Sequence, residues 1–190
     1  MSSLNKNNRF LIRNPEKSEY NQYWYSKETI QTFVRVIEEH LLESSDHRVA
    51  FMSTPSVYFS MSSELQRQGK LFEYDKKWEK DQGFVFWDFN QPDKVDASLF
   101  GQFSLILIDP PFITREVWEN YASAAKKLRK PGCKLICSTI SENADLMKNL
   151  LDVTPVVYQP SIPHLVYQYN LYTNFSHELF EQKNSELADY

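Results

Sequence analysis

The longest uncharged apolar run in this chain extends from Phe103 to Ile108 and ends at the sequence Asp109-Pro110-Pro111. A short run of this kind, with almost no polar residue, is typical of a strand that is covered on both faces in a parallel sheet. Two consecutive prolines hold φ near one value and remove two backbone donors, so a strand cannot continue through them. The segment therefore predicts a buried central strand of an α/β fold, with a carboxylate at its carboxyl end.

Helical patterns alternate with short apolar runs along the chain. Ser26 and Thr114 are favoured N-cap residues, and each precedes an apolar stripe with helical spacing. Thr54 precedes Pro55, a pair that favours the start of a helix. We predict that this helix runs from Pro55 to about Gln68 and ends at Gly69 as its C-cap.

The apolar runs predict seven strands. They cover residues 48–53, 70–75, 83–88, 103–109, 134–138, 154–158 and 165–175. Strands that alternate with helices indicate a largely parallel sheet, and the final pair, which no helix separates, indicates an antiparallel edge. The predicted fold is a Rossmann-like α/β sheet of seven strands, mostly parallel with an antiparallel edge strand.

The periodic patterns are confined to residues 21–176, which we predict to form one domain. Residues 1–20 are polar without sustained periodicity and predict a flexible arm, and residues 177–190 predict a polar C-terminal tail. The apolar runs are too short to span a bilayer, and the polar N-terminus is unlike a signal peptide. We therefore expect a cytoplasmic protein without membrane contact.

Composition excludes several kinds of binding site. The chain has 4 glycines, all isolated, so neither a G-x-G-x-x-G loop nor a P-loop is present. With 21 basic and 25 acidic residues the formal net charge is −4, which gives no general attraction for nucleic acid. Cys133 and Cys137 predict free, buried thiols, and the histidines lack the spacing of zinc ligands, so we predict no metal site.

Carboxylates follow three successive strands at the edge of the sheet where α/β proteins bind ligands. Asp75, with Glu73 as the next candidate, is placed to accept ribose hydroxyls, and Asp88 and Phe89 follow the third strand. After the first strand, the helix that begins at Thr54 offers free N–H groups to a carboxylate. A ligand with a carboxylate, a ribose and an adenine fits this row, which indicates S-adenosyl-L-methionine.

Asp109 and the three residues after it have the chemistry to hold an amine. The Asp109 carboxylate and the Pro110 carbonyl can each accept a hydrogen bond, and Phe112 offers a ring for a base or a cation. Together they would hold a neutral amine with its lone pair directed at a methyl donor.

At these residues the sequence resembles the class I methyltransferases with an Asp/Asn-Pro-Pro-Phe/Tyr motif. Within that group it is similar to the eukaryotic branch once labelled adenine-specific DNA methyltransferase, whose members are lysine methyltransferases of translation elongation factor 1-alpha. The segments that carry the resemblance are Gln22-Tyr-Trp-Tyr-Ser-Lys-Glu-Thr29, Pro55-Ser-Val-Tyr58, Phe72-Glu-Tyr-Asp-Lys-Lys-Trp78, Phe86-Trp-Asp-Phe-Asn-Gln-Pro92 and Asp109-Pro-Pro-Phe112.

The resemblance implies a role for each matching segment. It places the catalytic residues Asp109, Pro110, Pro111 and Phe112 at the amine, and Asp75 and Asp88 near the ribose and adenine of the cofactor. In the family a Ser/Ala-Pro-Ser segment replaces the glycine-rich first loop, and Ser53, Thr54, Pro55 and Ser56 match that segment. The resemblance also places Tyr25, Ser26 and Thr29 at the border of the cofactor pocket. An alternative for Trp24 and Tyr25 is an aromatic plug that packs the first helix on the sheet.

The resemblance implies methylation of a lysine side chain in a protein, with translation elongation factor 1-alpha as the candidate partner. The closing strand, Tyr167-Gln168-Tyr169-Asn170, departs from members that act on the elongation factor, and it flanks the expected substrate opening. The alternative is an adenine methyltransferase that acts on RNA or DNA, and a third reading is a catalytically inactive scaffold. The acidic composition favours a protein substrate.

Overall fold

A seven-stranded sheet organises the computed structural model, which describes residues 8–187. Its strands are β1 (Val49–Met52), β2 (Gly69–Glu73), β3 (Phe84–Phe86), β4 (Phe103–Ile108), β5 (Arg129–Thr139), β6 (Thr154–Pro155) and β7 (Asn170–Thr173). Their order is β3-β2-β1-β4-β5-β7-β6, and only the pairings of β7 are antiparallel. The predicted α/β sheet, mostly parallel with antiparallel pairing at one edge, is confirmed.

Helices cover both faces of this sheet. They are α1 (Arg9–Arg13), α2 (Lys27–Leu42), α3 (Pro55–Tyr58), α4 (Ser63–Gln66), α5 (Arg115–Leu128) and α6 (Ala144–Leu151). Single 3-10 turns cover Ser18–Tyr20, Lys76–Trp78, Ala97–Leu99, Ser141–Asn143 and Glu178–Phe180. None of the helices in the described part of the chain is both long and apolar enough to cross a membrane.

Strand β4 is buried on both faces, as its composition predicts. Leu105 and Leu107 belong to the core under α2, whereas Ile106 and Ile108 belong to the core under α5 and α6. Successive strand residues point to opposite faces, so an apolar run contributes to both cores at once. This double burial places the end of β4 in the middle of the sheet.

Two of the predicted helix caps form. The Ser26 hydroxyl accepts the Thr29 N–H at 3.1 Å and begins α2, and the Thr114 hydroxyl accepts the Val117 N–H at 3.4 Å and begins α5. Each bond satisfies one of the backbone donors that a helix start leaves free.

The predicted long helix from Pro55 to Gln68 is wrong. The chain forms two single turns, α3 and α4, and Gly69 is the first residue of β2 rather than a C-cap. Between the turns, the Ser60 hydroxyl donates to the Ser56 carbonyl at 2.6 Å, and the Ser62 N–H bonds to Glu38 at 2.7 Å. Such local serine bonds compete with a continuous helix.

The N-terminal arm packs on the domain from residue 8 onward through a short helix that the sequence does not predict. Asn8 caps α1 by accepting the Phe10 N–H at 2.9 Å, and Phe10 is buried against the rings of Trp24, Phe59 and Trp78. The sequence signal was missed because a single buried aromatic in a polar stretch creates no periodicity. Residues 1–7 lie outside the described part of the chain.

The C-terminal segment, for which we predict a polar tail, packs on the domain through Phe180 and Asn184. Phe180 is buried against Phe33 and Tyr158, and the Asn184 side chain donates to the Gln159 carbonyl at 2.9 Å. The two closing strands are shorter than predicted and cover only Thr154–Pro155 and Asn170–Thr173. Residues 156–169 therefore form a long connection.

The packing of the N-terminal segment is testable at Phe10. We expect Phe10→Ala to lower the free energy of unfolding by about 3 kcal/mol, because it removes a ring from an aromatic cluster. The control is Ile12→Ala on the same helix, where the side chain is exposed and the expected change is below about 0.5 kcal/mol. Equal effects of the two substitutions in chemical denaturation would contradict the packing.

Candidate functional site

A cavity of about 280 Å³ opens at the carboxyl ends of β1, β2, β3 and β4. The sheet order reverses between β1 and β4, and α/β proteins bind ligands in the crevice at such a point. Of the residues predicted from the sequence, eight line this cavity: Ser53, Glu73, Asp88, Phe89, Asp109, Pro110, Pro111 and Phe112. The predicted residues at the strand ends therefore line one common cavity.

Asp109 lies on the cavity wall directly after β4. Its Oδ1 atom accepts a hydrogen bond from the Ser138 hydroxyl at 2.8 Å. Burial raises the pKa of Asp109 to about 7, and the hydroxyl groups of Ser138 and Tyr25 oppose that rise. A carboxyl with a pKa near neutrality can exchange a proton at physiological pH.

Glu73, rather than Asp75, is the carboxylate of β2 that faces the cavity. Its Oε1 atom accepts the N–H groups of Tyr74 at 2.9 Å and Asp75 at 3.0 Å, and burial raises its pKa to about 7. Asp75 instead pairs with Lys17 at 2.8 Å and accepts the Lys77 N–H at 3.0 Å. Glu73 is therefore the carboxylate of this strand end that is left open to the cavity, because Asp75 is engaged by a cation.

Ser53 ends β1 in a left-handed conformation with φ of 59°. This region is costly for residues other than glycine, and such strain is often retained at functional sites. The Ser53 hydroxyl lies 2.6 Å from the Tyr121 hydroxyl, which fixes both groups on the cavity wall.

Several predicted cofactor residues do not reach the cavity wall: Tyr25, Ser26, Thr29, Thr54, Pro55, Ser56 and Asp75. Thr54 does not cap α3, and its hydroxyl oxygen is buried without a hydrogen-bond partner. Thr29 accepts the Ser161 N–H at 3.0 Å and the Tyr158 hydroxyl at 3.2 Å, and Ser26 begins α2. These bonds give Ser26 and Thr29 structural roles in holding the start of α2.

Aromatic rings form the other side of the cavity. Phe89 lies between Phe112 and Tyr121, with ring centroids 6.2 Å and 5.9 Å apart. Trp87 is buried on the same wall, and its indole N–H has no hydrogen-bond partner in the described structure. Asp88 accepts the Asn90 N–H at 2.9 Å, which fixes the turn after β3. This wall offers apolar rings together with one unused donor.

Residues 19–24 form a wall of the cavity, and the predicted boundary between arm and domain, after residue 20, falls inside this segment. The Asn21 amide donates to the Pro111 carbonyl, so this segment is tied to the Asp-Pro-Pro loop. The ion pair of Lys17 with Asp75 ties it to the end of β2. The aromatic cluster after Gln22 is the one sequence feature that indicates this wall. Ile162, Leu165 and Tyr169 complete the wall from the long connection.

The cavity lining is strongly acidic. It includes four carboxylates, Glu19, Glu73, Asp88 and Asp109, and no Lys, Arg or His belongs to the lining among residues 8–187. A site of this charge attracts cations and repels phosphate groups.

A second polar cluster lies at the opposite end of the sheet. His40, Glu43 and His47 place possible ligand atoms within 4.8 Å of one another. The two imidazole rings are stacked with centroids 4.1 Å apart and planes 8° apart. A metal ion lies in the plane of each imidazole that binds it, so parallel stacked rings cannot share one ion without turning. The hydrogen bond of His40 to Ser104 at 2.8 Å and that of His47 to the His40 carbonyl at 2.7 Å give the cluster a structural role.

The buried carboxyl of Glu73 makes stability depend on pH. Since its pKa is about 7 in the folded state, wild-type stability should fall as the pH rises from about 5 to 8. Glu73→Gln keeps an oxygen acceptor and removes the charge, so we expect it to be more stable by roughly 2 to 3 kcal/mol at pH 8 and by less than about 1 kcal/mol at pH 5. Chemical denaturation measures the difference.

The matched control for Glu73→Gln is Glu64→Gln, at an exposed position of α4. It should leave the free energy of unfolding unchanged at both pH values. A gap between Glu73→Gln and wild type that does not change with pH would show that Glu73 carries no raised pKa.

Comparisons with known proteins find relatives that cover most of this chain. A family model described as "Probable N6-adenine methyltransferase" matches residues 16–177. The chain is 30% identical over 177 residues to a protein-lysine N-methyltransferase of Dictyostelium discoideum, covering 90% of this chain and 82% of that protein. It is 31% identical over 169 residues to EEF1A lysine methyltransferase 1 of Danio rerio, covering 83% and 98%.

Among solved structures, TrmN from Thermus thermophilus aligns with a TM-score of 0.48 at 14% identity, over 74% of this chain and 48% of that one. The family match spans the sheet, the cavity and the N-terminal wall of the cavity. The chain therefore belongs to the family of methyltransferases described as probable N6-adenine methyltransferases.

Proposed function

We propose that this protein transfers a methyl group from S-adenosyl-L-methionine to the amine of a lysine side chain in a protein. The observation that carries the proposal is Asp109, a carboxyl with a pKa raised to about 7 on the wall of an acidic cavity. Relatives that align over most of this chain are named protein-lysine N-methyltransferases and EEF1A lysine methyltransferases, which supports the same substrate class. Translation elongation factor 1-alpha is the first candidate partner on that basis.

The residues of the cavity fit the proposed methyl donor. The Glu73 carboxylate would accept ribose hydroxyls, and the segment of Asp88 and Phe89 would hold the adenine beside an aromatic face. The buried, unpaired N–H of Trp87 is an orphan donor that a polar ligand atom would satisfy. When bound, S-adenosyl-L-methionine supplies an electrophilic methyl group on a positively charged sulfur, which four carboxylates favour.

A lysine side chain also matches the opposite part of the cavity. Its cation would be attracted by the carboxylates and by the face of Phe112, which is 46% exposed. Lysine has to lose a proton before its nitrogen can attack, and we propose Asp109 as the acceptor because its pKa lies near neutrality. The carbonyl of Pro110 would take a second N–H of the amine, whereas that of Pro111 is occupied by Asn21.

The adenine alternative is less well supported by the charge of the cavity. An adenine in RNA or DNA carries phosphate groups on both sides, and binding such a strand depends mainly on neutralising them. The lining carries four carboxylates and, in the described part of the chain, no cation. Stacking on Phe112 remains the feature that would favour a base. The cytoplasmic location stays a prediction.

Asp109 is the first residue to test. We expect Asp109→Ala to lower methyl transfer by at least about 100-fold, since it removes the proposed proton acceptor. Binding of S-adenosyl-L-methionine, measured by calorimetry, should persist because the proposed ribose and adenine contacts remain. Asp145→Ala, at an exposed position on α6, is the control and should keep full activity. Full activity of Asp109→Ala would refute the role.

The substrate class can be tested with labelled cofactor. Incubation of the protein with lysate and S-adenosyl-L-methionine carrying a radioactive methyl group should label material that protease removes and nuclease does not. Acid hydrolysis should then release methylated lysine, and purified elongation factor 1-alpha should accept the label. Label that only nuclease removes would replace the proposal with the adenine alternative.

A further inference from the structure

Behind the cavity wall, Asp109 is held by a chain of buried hydroxyl groups. Ser138 is 1% exposed and its hydroxyl donates to Asp109 Oδ1 at 2.8 Å. Tyr25 is also 1% exposed, and its hydroxyl lies 2.5 Å from the Ser138 oxygen. Neither Tyr25 nor Ser138 lines the cavity, so both reach it only through Asp109.

The sheet register brings these groups together. Strands β4 and β5 run parallel with Ile108 opposite Cys137, so the next residues, Asp109 and Ser138, are neighbours across the pair. Ser138 is held on its other side by β7, where it pairs with Leu171. The position of the hydroxyl is therefore set by three strands rather than by a loop.

Tyr25 is fixed within the core under α2, on the face of the sheet to which Leu107 and Ile136 also point. It precedes the Ser26 cap of α2, and its ring meets Phe33 edge-on with centroids 5.0 Å apart. The Ser26 N–H donates to the Ser161 carbonyl at 2.8 Å, which anchors the start of the helix. The phenol is thus held in place by ring packing and by the backbone bond at the start of α2.

The hydrogen bonds that join Tyr25, Ser138 and Asp109 can run in only one direction when the carboxylate is ionised. An ionised carboxylate only accepts hydrogen bonds, so the single proton of the Ser138 hydroxyl has to point at Asp109. The Ser138 oxygen then accepts from the Tyr25 O–H. Hydrogen bonds in such a chain polarise one another, and this direction favours the charged form of the carboxylate.

We infer that Tyr25 and Ser138 are positioning residues for methyl transfer: they hold Oδ1 of Asp109, leave Oδ2 for the substrate amine, and keep the carboxylate able to accept a proton. The inference rests on the proposed function of Asp109. It assigns Tyr25 to the carboxylate rather than to the cofactor, where the sequence resemblance placed it.

Among the described neighbours of Asp109, hydrogen-bond donors rather than cations favour its ionised form. The phenols of Tyr121 and Tyr169 are close enough to Asp109 for its charge to raise their pKa values. Glu73 and Asp88 are further acids on the cavity wall, and no cation lines the wall in the described residues. Burial opposes ionisation of Asp109, whereas Ser138 and Tyr25 lower its pKa. Removing either hydroxyl should therefore make the carboxylate a group that ionises only at higher pH.

The test is the pH dependence of turnover in Ser138→Ala and Tyr25→Phe. In wild type we expect the rate to rise with pH through an apparent pKa near 7. Ser138→Ala should move the rising limb to higher pH by about one unit and lower turnover at pH 7 roughly 5-fold, since a hydrogen bond to a charged group is lost. Tyr25→Phe should move it in the same direction by a smaller amount. The affinity for S-adenosyl-L-methionine should stay within about 2-fold of wild type in both variants.

Tyr172→Phe is the matched control. It removes a buried phenol that donates to the Ile140 carbonyl at 2.8 Å and does not contact Asp109. The rising limb of its pH–rate profile should coincide with that of wild type. A limb that does not move in Ser138→Ala, or that moves equally in Tyr172→Phe, would overturn the inference.

A direct titration separates this inference from the proposed function. Carbon-13 NMR of the Asp109 side-chain carboxyl, in protein without substrate, should show its pKa raised in Ser138→Ala and unchanged in Tyr172→Phe. A raised value together with no methylation of any lysine would refute the proposed function and keep the hydrogen-bond chain. Methylation of lysine together with an unchanged carboxyl pKa in Ser138→Ala would refute the chain alone.

Discussion

Burial of β4 on both faces of the sheet is the constraint on which the site depends. Its apolar side chains enter the cores under α2 and under α5 and α6, and this fixes the strand in the middle of the sheet. Asp109 is the first residue beyond that strand, and Pro110 and Pro111 end the ladder at once. A carboxylate is thereby held at the reversal point of the sheet order, where neighbouring strand ends converge.

Burial of the site also lowers the free energy of unfolding. Glu73 and Asp109 both have pKa values raised to about 7, so each destabilises the fold when it is ionised. Ser53 adds a left-handed backbone conformation beside them. Strain and buried charge of this kind are expected where binding or catalysis needs a preorganised environment. The hydroxyl groups behind Asp109 stabilise its charge through Oδ1 only, which leaves Oδ2 for a ligand.

Segments remote in sequence close the site. Residues 19–24 form one wall because Phe10 anchors the preceding helix and because Asn21 bonds to the Asp-Pro-Pro loop. The connection before β7 adds Ile162, Leu165 and Tyr169.

The sequence by itself determined the sheet, the central strand and the row of strand ends, because burial patterns and proline chemistry are local properties that repeat along the chain. It identified Asp109, Glu73 and Ser53 as cavity residues for the same reason. Only the tertiary structure shows that Glu73 lines the cavity whereas Asp75 does not, since the partner of Asp75 is Lys17, 58 residues away. It also placed Tyr25 behind Asp109 through Ser138, 113 residues further along the chain. Such contacts depend on which elements pack side by side, and no local pattern of residues records them.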